Sequence, residues 1–209
     1  MKGIATVNRS VSAMLLWLCI SHWCLAQDIN VPDGYALQRL EATDGGIAMP
    51  MGWHYRSSGT ASGWLYTLSK EKPEPYYETG MRIQLLLGVE KGTKQPRDMF
   101  VDAQIVKKKT SSDVEVIKEC ALPADAGFFW RKCLEVIEPI QLGSEAPKRF
   151  HILYTFSWSK SGDMVVVQTF GSPVEKWEEH KPISNAMSGA ILIGANLGKN
   201  ADRHSQPKP

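Results

Sequence analysis

The stretch from Phe150 to Phe170 constrains the fold more than any other part of this sequence. Phe150, Ile152, Tyr154, Phe156 and Trp158 recur at every second position, the pattern of a strand with one buried face. Lys160-Ser161-Gly162-Asp163 supplies turn chemistry, and Met164 to Phe170 returns as a valine-rich strand. The apolar residues of this second strand face both ways. Such a strand needs cover on both sides, which places it in the middle of a sheet sandwiched between other layers.

The rest of the chain supplies more strands and the layers to cover them. Pro50-Met51-Gly52-Trp53-His54-Tyr55 reads as a turn feeding a strand, and Gly59-Thr60-Ala61-Ser62-Gly63 as a hairpin loop. Gly63 to Ser69 alternates weakly. Lys72 to Pro75 is a proline-bearing loop. Met81 to Val89 alternates well, with Ile83, Leu85, Leu87 and Val89 on one face and Arg82 and Gln84 on the other. Pro96 suits a first helical turn, and Pro96, Met99, Phe100, Ala103 and Val106 form an apolar stripe at helical spacing. Lys107-Lys108-Lys109 then reads as a solvated helix end, where cations suit the dipole. Near the C-terminus, Ser172-Pro173-Val174-Glu175 has the form of a capping box. Pro182 is expected to kink the helix that follows or to start a second one. Ile183, Met187, Ala190, Ile191 and Gly194 continue at helical spacing. The predicted class is α+β, an antiparallel sheet flanked by helices.

Residues 1–26 read as a cleavable secretory signal. Lys2 and Arg9 give a positive start, Val11 to Leu25 an apolar core, and Cys24-Leu25-Ala26 a small-residue site before Gln27. The apolar run is shorter than the ~20 residues a bilayer span needs, and His22 interrupts it. The expected localisation is export, to a periplasm or the medium. The expected organisation is a signal peptide at 1–26, a lead segment at 27–44, a single α+β domain at 45–195 and a disordered tail at 196–209.

Cys19 and Cys24 leave with the signal, so Cys120 and Cys133 remain, and an oxidising compartment predicts that they pair. The neighbours support the pairing. Asp113 to Ala121 and Phe128 to Glu138 read as two strands of a hairpin. Setting Cys120 opposite Cys133 places Lys118 opposite Glu135 and Val116 opposite Ile137, both good cross-strand pairs. A redox-active role would call for the closer C-x-x-C spacing.

Charge narrows the partners. The chain has 24 Lys+Arg and 22 Asp+Glu. Loss of Lys2 and Arg9 leaves 22 of each, so the mature chain is formally neutral. Nucleic-acid binders carry a basic excess, and no second apolar run is long enough to span a membrane after cleavage.

Pro50, Gly52 and Trp53, the strand start Thr79-Gly80-Met81-Arg82-Ile83 and the helix from Trp177 to Gly194 together resemble the Mog1/PsbP-like family of α/β/α sandwiches. The resemblance spans about residues 45–195. It implies a binding or assembly role: known members include an extrinsic photosystem subunit, a small-GTPase partner, bacterial envelope proteins and secretion adaptors. It implies no catalytic signature. A GTPase partner would lie in the wrong compartment for an exported chain. No metal or partner residue of the family matches a position here.

The search for chemistry is correspondingly sparse. His54, His151, His180 and His204 do not pair at metal-ligand spacing, which leaves only a site assembled from distant residues. His151 reads as a partly exposed strand histidine. There is no nucleophile elbow and no phosphate loop, and no motif calls for a cofactor. Glu135 and Glu138 point to opposite faces of a strand, a poor acid/base pair. The aromatics Trp53, Tyr55, Trp64 and Tyr66 form the candidate binding surface, with a core role as the competing reading. The expected function is a non-catalytic exported binding or accessory module for an envelope protein or small ligand. The alternatives are a periplasmic enzyme with a distributed active site and a structural envelope protein.

Overall fold

The computed structural model describes residues 30–43, 45–120, 124–189 and 191–193. The expected signal peptide at 1–26 and tail at 196–209 lie outside the described residues. The chain runs β1 (Tyr35–Leu40), β2 (Gly45–Pro50), β3 (His54–Thr60), β4 (Gly63–Ser69), β5 (Gly80–Leu87), α1 (Val89–Thr93), α2 (Arg97–Lys109) and β6 (Glu115–Glu119). It continues through β7 (Asp125–Ala126), β8 (Phe129–Ile140), β9 (Lys148–Ser159), β10 (Met164–Pro173), α3 (Trp177–Gly189) and β11 (Ile191–Leu192). Among these, β1 lies within the expected lead segment and is mostly exposed, so it carries little apolar alternation to announce it.

The main sheet has the order β3-β4-β5-β10-β9-β8-β6, with β7 paired to β8, and a second sheet has the order β1-β2-β11. Every pairing is antiparallel. The strand expected at the centre is there: β10 lies between β5 and β9. Its Val165 and Val167 face one side and its Val166 and Phe170 the other, and Val165, Val166 and Phe170 are buried. Two cores follow. On one face Leu68, Met81, Ile83, Phe170 and the helix residues Trp177 and Met187 pack together with Leu40 and Ile47 of the small sheet. On the other face Leu134, Val136, Ile152, Phe156 and Val165 pack against Val101 and Ile105 of α2. Each such fully buried side chain contributes roughly 1.5–3 kcal/mol.

The Cys120–Cys133 disulfide forms, with Cα atoms 5.1 Å apart. In the chain-entropy model a loop of this size contributes about 3 kcal/mol. Lys118 lies opposite Glu135, as the register predicts. Val116 lies opposite Val136 instead of Ile137, because the register shifts between Val116 and Lys118. An inserted residue of this kind moves every pair beyond it by one.

Four further expectations are corrected. The stripe of Met99 and Val106 is not the buried face of α2, since both are 56% exposed. The sheet-facing stripe is Arg97, Val101, Ile105 and Lys108: Val101 and Ile105 are buried, and the two polar ends are partly so. Arg97 donates to Glu90 Oε1 at 2.8 Å and to the Ser159 carbonyl at 2.7 Å, while Lys108 reaches Glu138. These anchors set the rotation of the helix. Lys108 and Lys109 are accordingly paired, to Glu138 and Glu119, so the lysine run is not simply solvated. Ser172 does not cap a helix: β10 runs on through Pro173 in pairing with β9, and Ser172 is buried. A single-turn 3-10 helix, Val174–Lys176, follows with no side-chain cap. Ile191 leaves the helical spacing to pair with Ile47 across β2 and β11; Pro182 lies inside α3 and starts no second helix.

Candidate functional site

The outer face of the main sheet, on the α2 side, is not fully covered by α2. A cleft of about 740 Å³ remains there. Its floor comes from alternate residues of four adjacent strands: Leu86 on β5, Val167 on β10, Ile152 and Phe156 on β9, and Ile140 on β8. Phe100 and Gln104 of α2 form one wall and the loop carrying Tyr76 and Tyr77 another. Apolar clefts of this size are the usual form of small-molecule sites.

Two glycines shape the second wall. Gly80 leaves room for the Tyr77 ring, whose Cε2 would lie 3.0 Å from an added Cβ. Gly143, at φ +64°, does the same for Tyr76, with Cε2 at 2.7 Å. The tyrosine loop is thereby laid across two other segments of the chain.

Polar groups stand at defined points in this apolar lining. Lys108 Nζ lies 2.9 and 2.6 Å from the two Glu138 oxygens, and the Tyr154 hydroxyl donates to Glu138 Oε1 at 2.6 Å. The Lys108 ammonium also sits 4.8 Å from the Tyr154 ring centre. Burial, then the Glu138 carboxylate, pushes the Tyr154 phenol well above its ordinary range. Burial raises the Tyr77 phenol too, and the positive charge of Arg82 works against it. Both phenols therefore remain protonated near neutrality. Glu78 is paired to Lys148 at 2.7 Å. Arg82, on β5 beside the central strand, is exposed to the cleft and has no hydrogen bond or ion pair among the described residues.

A second polar cluster lies across the sheet. His151 is buried, not partly exposed: its ring stacks on Trp177 at 3.9 Å between centroids, and its Nε2 lies 2.7 Å from Glu135 Oε1. Lys118 reaches the other Glu135 oxygen at 3.1 Å. His180 Nδ1 lies 2.8 Å from Ser172 Oγ, and His180 Nε2 lies 3.1 Å from Lys70 Nζ. An ammonium only donates, so Nε2 accepts, Nδ1 carries the proton and donates to Ser172, and Ser172 donates to the Pro173 carbonyl at 3.3 Å. Burial, then the Lys70 charge, lowers the pKa of His180 from its ordinary 6.5. This chain of bonds ties α3 to the sheet. Glu135 and Glu138 face opposite sides, as their spacing requires.

The four aromatics singled out by sequence lie on the face away from the cleft. Trp53, Tyr55 and Trp64 are partly buried against the first core, and Tyr66 is fully buried within it. The Tyr66 hydroxyl donates to the Glu41 carbonyl at 2.5 Å, and the Tyr55 hydroxyl donates to the Glu41 carboxylate. Burial raises both phenols, and the Glu41 carboxylate adds to it. The cleft residues escaped that reading. Arg82 left one trace, a charge within an alternating strand; Lys108, Glu138 and Tyr154 are separated by long stretches of chain and left none.

Among the described residues no group of three or more His, Cys, Asp or Glu side chains is placed to hold a metal ion, and no helix is long and apolar enough to cross a membrane.

No family model and no curated protein matches this sequence. Solved structures do. The Ran-binding protein Mog1p of Saccharomyces cerevisiae is similar at 12% identity and TM-score 0.47, over 78% of this chain and 97% of that one. Cyanobacterial PsbP from Synechocystis sp. PCC 6803 is similar at 10% identity and TM-score 0.46, over 81% and 98%. A Pseudomonas aeruginosa protein of unknown function, PA94, is similar at 12% identity and TM-score 0.41, over 84% and 98%. The α+β arrangement of antiparallel sheet and flanking helices stands on this chain's own topology.

Proposed function

We propose that this chain is an exported, non-catalytic binding module, and that the cleft between the main sheet and α2 is where it binds. The observation that carries this reading is the cleft itself: about 740 Å³ with an apolar floor built from four adjacent strands. Three of its charged groups, Glu78, Lys108 and Glu138, are already committed to ion pairs. Two phenols held in the protonated form complete a surface suited to holding an apolar body. The Cys120–Cys133 bond supports an oxidising compartment, and with residues 1–26 it supports export. The occupant is a small apolar ligand or a short apolar segment of an envelope protein.

The test uses a neutral apolar dye, phenylnaphthylamine, with Thr169→Trp. Thr169 lines the cleft on β10, and an indole there would fill the floor. Saturable binding of one dye per chain, weakened at least about tenfold in the folded variant, supports the reading. Dye binding that Thr169→Trp leaves unchanged, or no saturable binding, sinks it.

A further inference from the structure

Among the described residues, the cleft holds one cation without an answering anion. Arg82 is the exception among the charged residues of its lining: Lys108 holds Glu138 at 2.6 Å, Lys148 holds Glu78 at 2.7 Å, and Arg82 has no partner among the described residues. Its strand is an inner one. β5 lies between β4 and β10, and Arg82 is directly opposite Thr67 on one side and Thr169 on the other. Side chains directly opposite one another share a face of the sheet. Arg82 is therefore flanked on its face of the sheet by two threonines, and neither threonine side chain has a hydrogen-bond partner among the described residues. Its charge acts on the Tyr77 and Tyr154 phenols.

A guanidinium offers donors only, in a planar fork that matches a carboxylate. Next to Arg82 the cleft is polar, with Thr169 and the Tyr154 phenol on the adjoining strands. Along β5 from Arg82 to Leu86 the floor is about 13 Å long at strand rise; Gln84 lies between them, and Leu86, Val167, Phe156 and Phe100 make the rest of that side apolar. Arg82 lies part-way along the cleft, with Ile152, Phe150 and Ile140 lining the side away from Leu86, so an acid held there has apolar lining on either side of it.

Building on the proposed binding role of the cleft, we infer that its ligand is an apolar organic acid, with the carboxylate on Arg82 and the hydrocarbon on the apolar floor. A neutral ligand would leave the guanidinium without an anion, and a compact polar acid would leave the apolar floor uncovered.

The experiment compares decanoate with decanol, which differ in the acid group and share the chain. Each displaces phenylnaphthylamine from the full chain and from Arg82→Gln. Arg82 is exposed and unpaired, so the variant keeps its packing, checked by an unchanged unfolding transition. Decanoate is expected to bind the unaltered chain at least about tenfold more tightly than it binds Arg82→Gln, with decanol affinity changed by less than about twofold. Equal decanoate affinity for the two chains overturns the assignment to Arg82, and so does decanol binding the unaltered chain as tightly as decanoate. Both of those results leave the cleft as a binding site. Failure of the dye and of both compounds to bind overturns the binding role as well.

Discussion

The Ser172 hydroxyl and the His180 ring lie 2.8 Å apart, both withdrawn from solvent, one at the end of β10 and the other in α3. The ring is held neutral, because burial and the Lys70 ammonium oppose its protonation. Lowering the folded-state pKa means that the unfolded chain binds the proton first as pH falls. The stabilisation from His180 is thus fully present above its ordinary 6.5 and is lost as pH drops below that value toward the lower folded one. Urea unfolding between about pH 7.5 and about pH 5.5 should show stability falling, with a shallower fall in His180→Gln. Equal slopes for the two chains would dismiss His180 as the source. Ser172→Ala should cost about 1–2 kcal/mol at neutral pH.

The Lys108–Glu138 pair is asymmetric, with side-chain exposures of 33% and 8%. Lys108→Met removes the ammonium and leaves a buried carboxylate with only the Tyr154 hydroxyl beside it. The expected loss is about 2 kcal/mol, the scale for a hydrogen bond to a charged group. Lys108→Met combined with Glu138→Met should recover most of it, since no charge is then left in the wall. A double variant as unstable as the sum of the two single ones would show that the two groups act independently.

Gly63 admits no side chain. It starts β4 at φ +147°, and an added Cβ would lie 1.9 Å from the Leu85 carbonyl oxygen of the neighbouring strand. Gly63→Ala should therefore destabilise the fold by at least about 2 kcal/mol, seen as a lower urea midpoint with an unchanged slope. Gly59→Ala, in the same hairpin with open space around the added carbon, is the control and should cost far less.

The export reading has its own check. The intact mass of the chain recovered from its cellular destination should correspond to a start at Gln27, and alkylation without reductant should leave Cys120 and Cys133 unlabelled. Retention of residues 1–26 would refute cleavage. Replacing both cysteines by serine should lower stability by about 3 kcal/mol.

Features encoded by short-range pattern were legible in the sequence. The alternation from Phe150 to Trp158 gave β9, the two-sided apolar run gave β10 its central place, and the Cys120–Cys133 spacing gave the pairing of Lys118 with Glu135. Reading failed where one local signal serves two structures. A Ser-Pro step can open a helix or close a strand, and the pairing of Ser172 with His151 decided for the strand. It failed in α2 because the sheet-facing stripe ends in Arg97 and Lys108, and a search for apolar residues passes over cations that bury their stems. The cleft was the least legible part. Tyr77, Arg82, Lys108, Glu138 and Tyr154 come from five separate elements and loops, and only the strand order brings them to one face.

That strand order also dictates when the sheet can close. Through Ser159 the chain holds two separate antiparallel units, β3-β4-β5 and β6-β8-β9, each ending in an unpaired edge. β10 fits between those two edges and covers both at once, bringing residues 80–87 beside 164–171. Pairings this far apart along the chain delay folding, because the intervening loop must be closed before any contact rewards it. A chain passing N-terminus first through a pore therefore cannot complete its main sheet until nearly all of it has crossed. In the interval β5 and β9 are the edges most open to wrong partners, and β10 removes both hazards in one step.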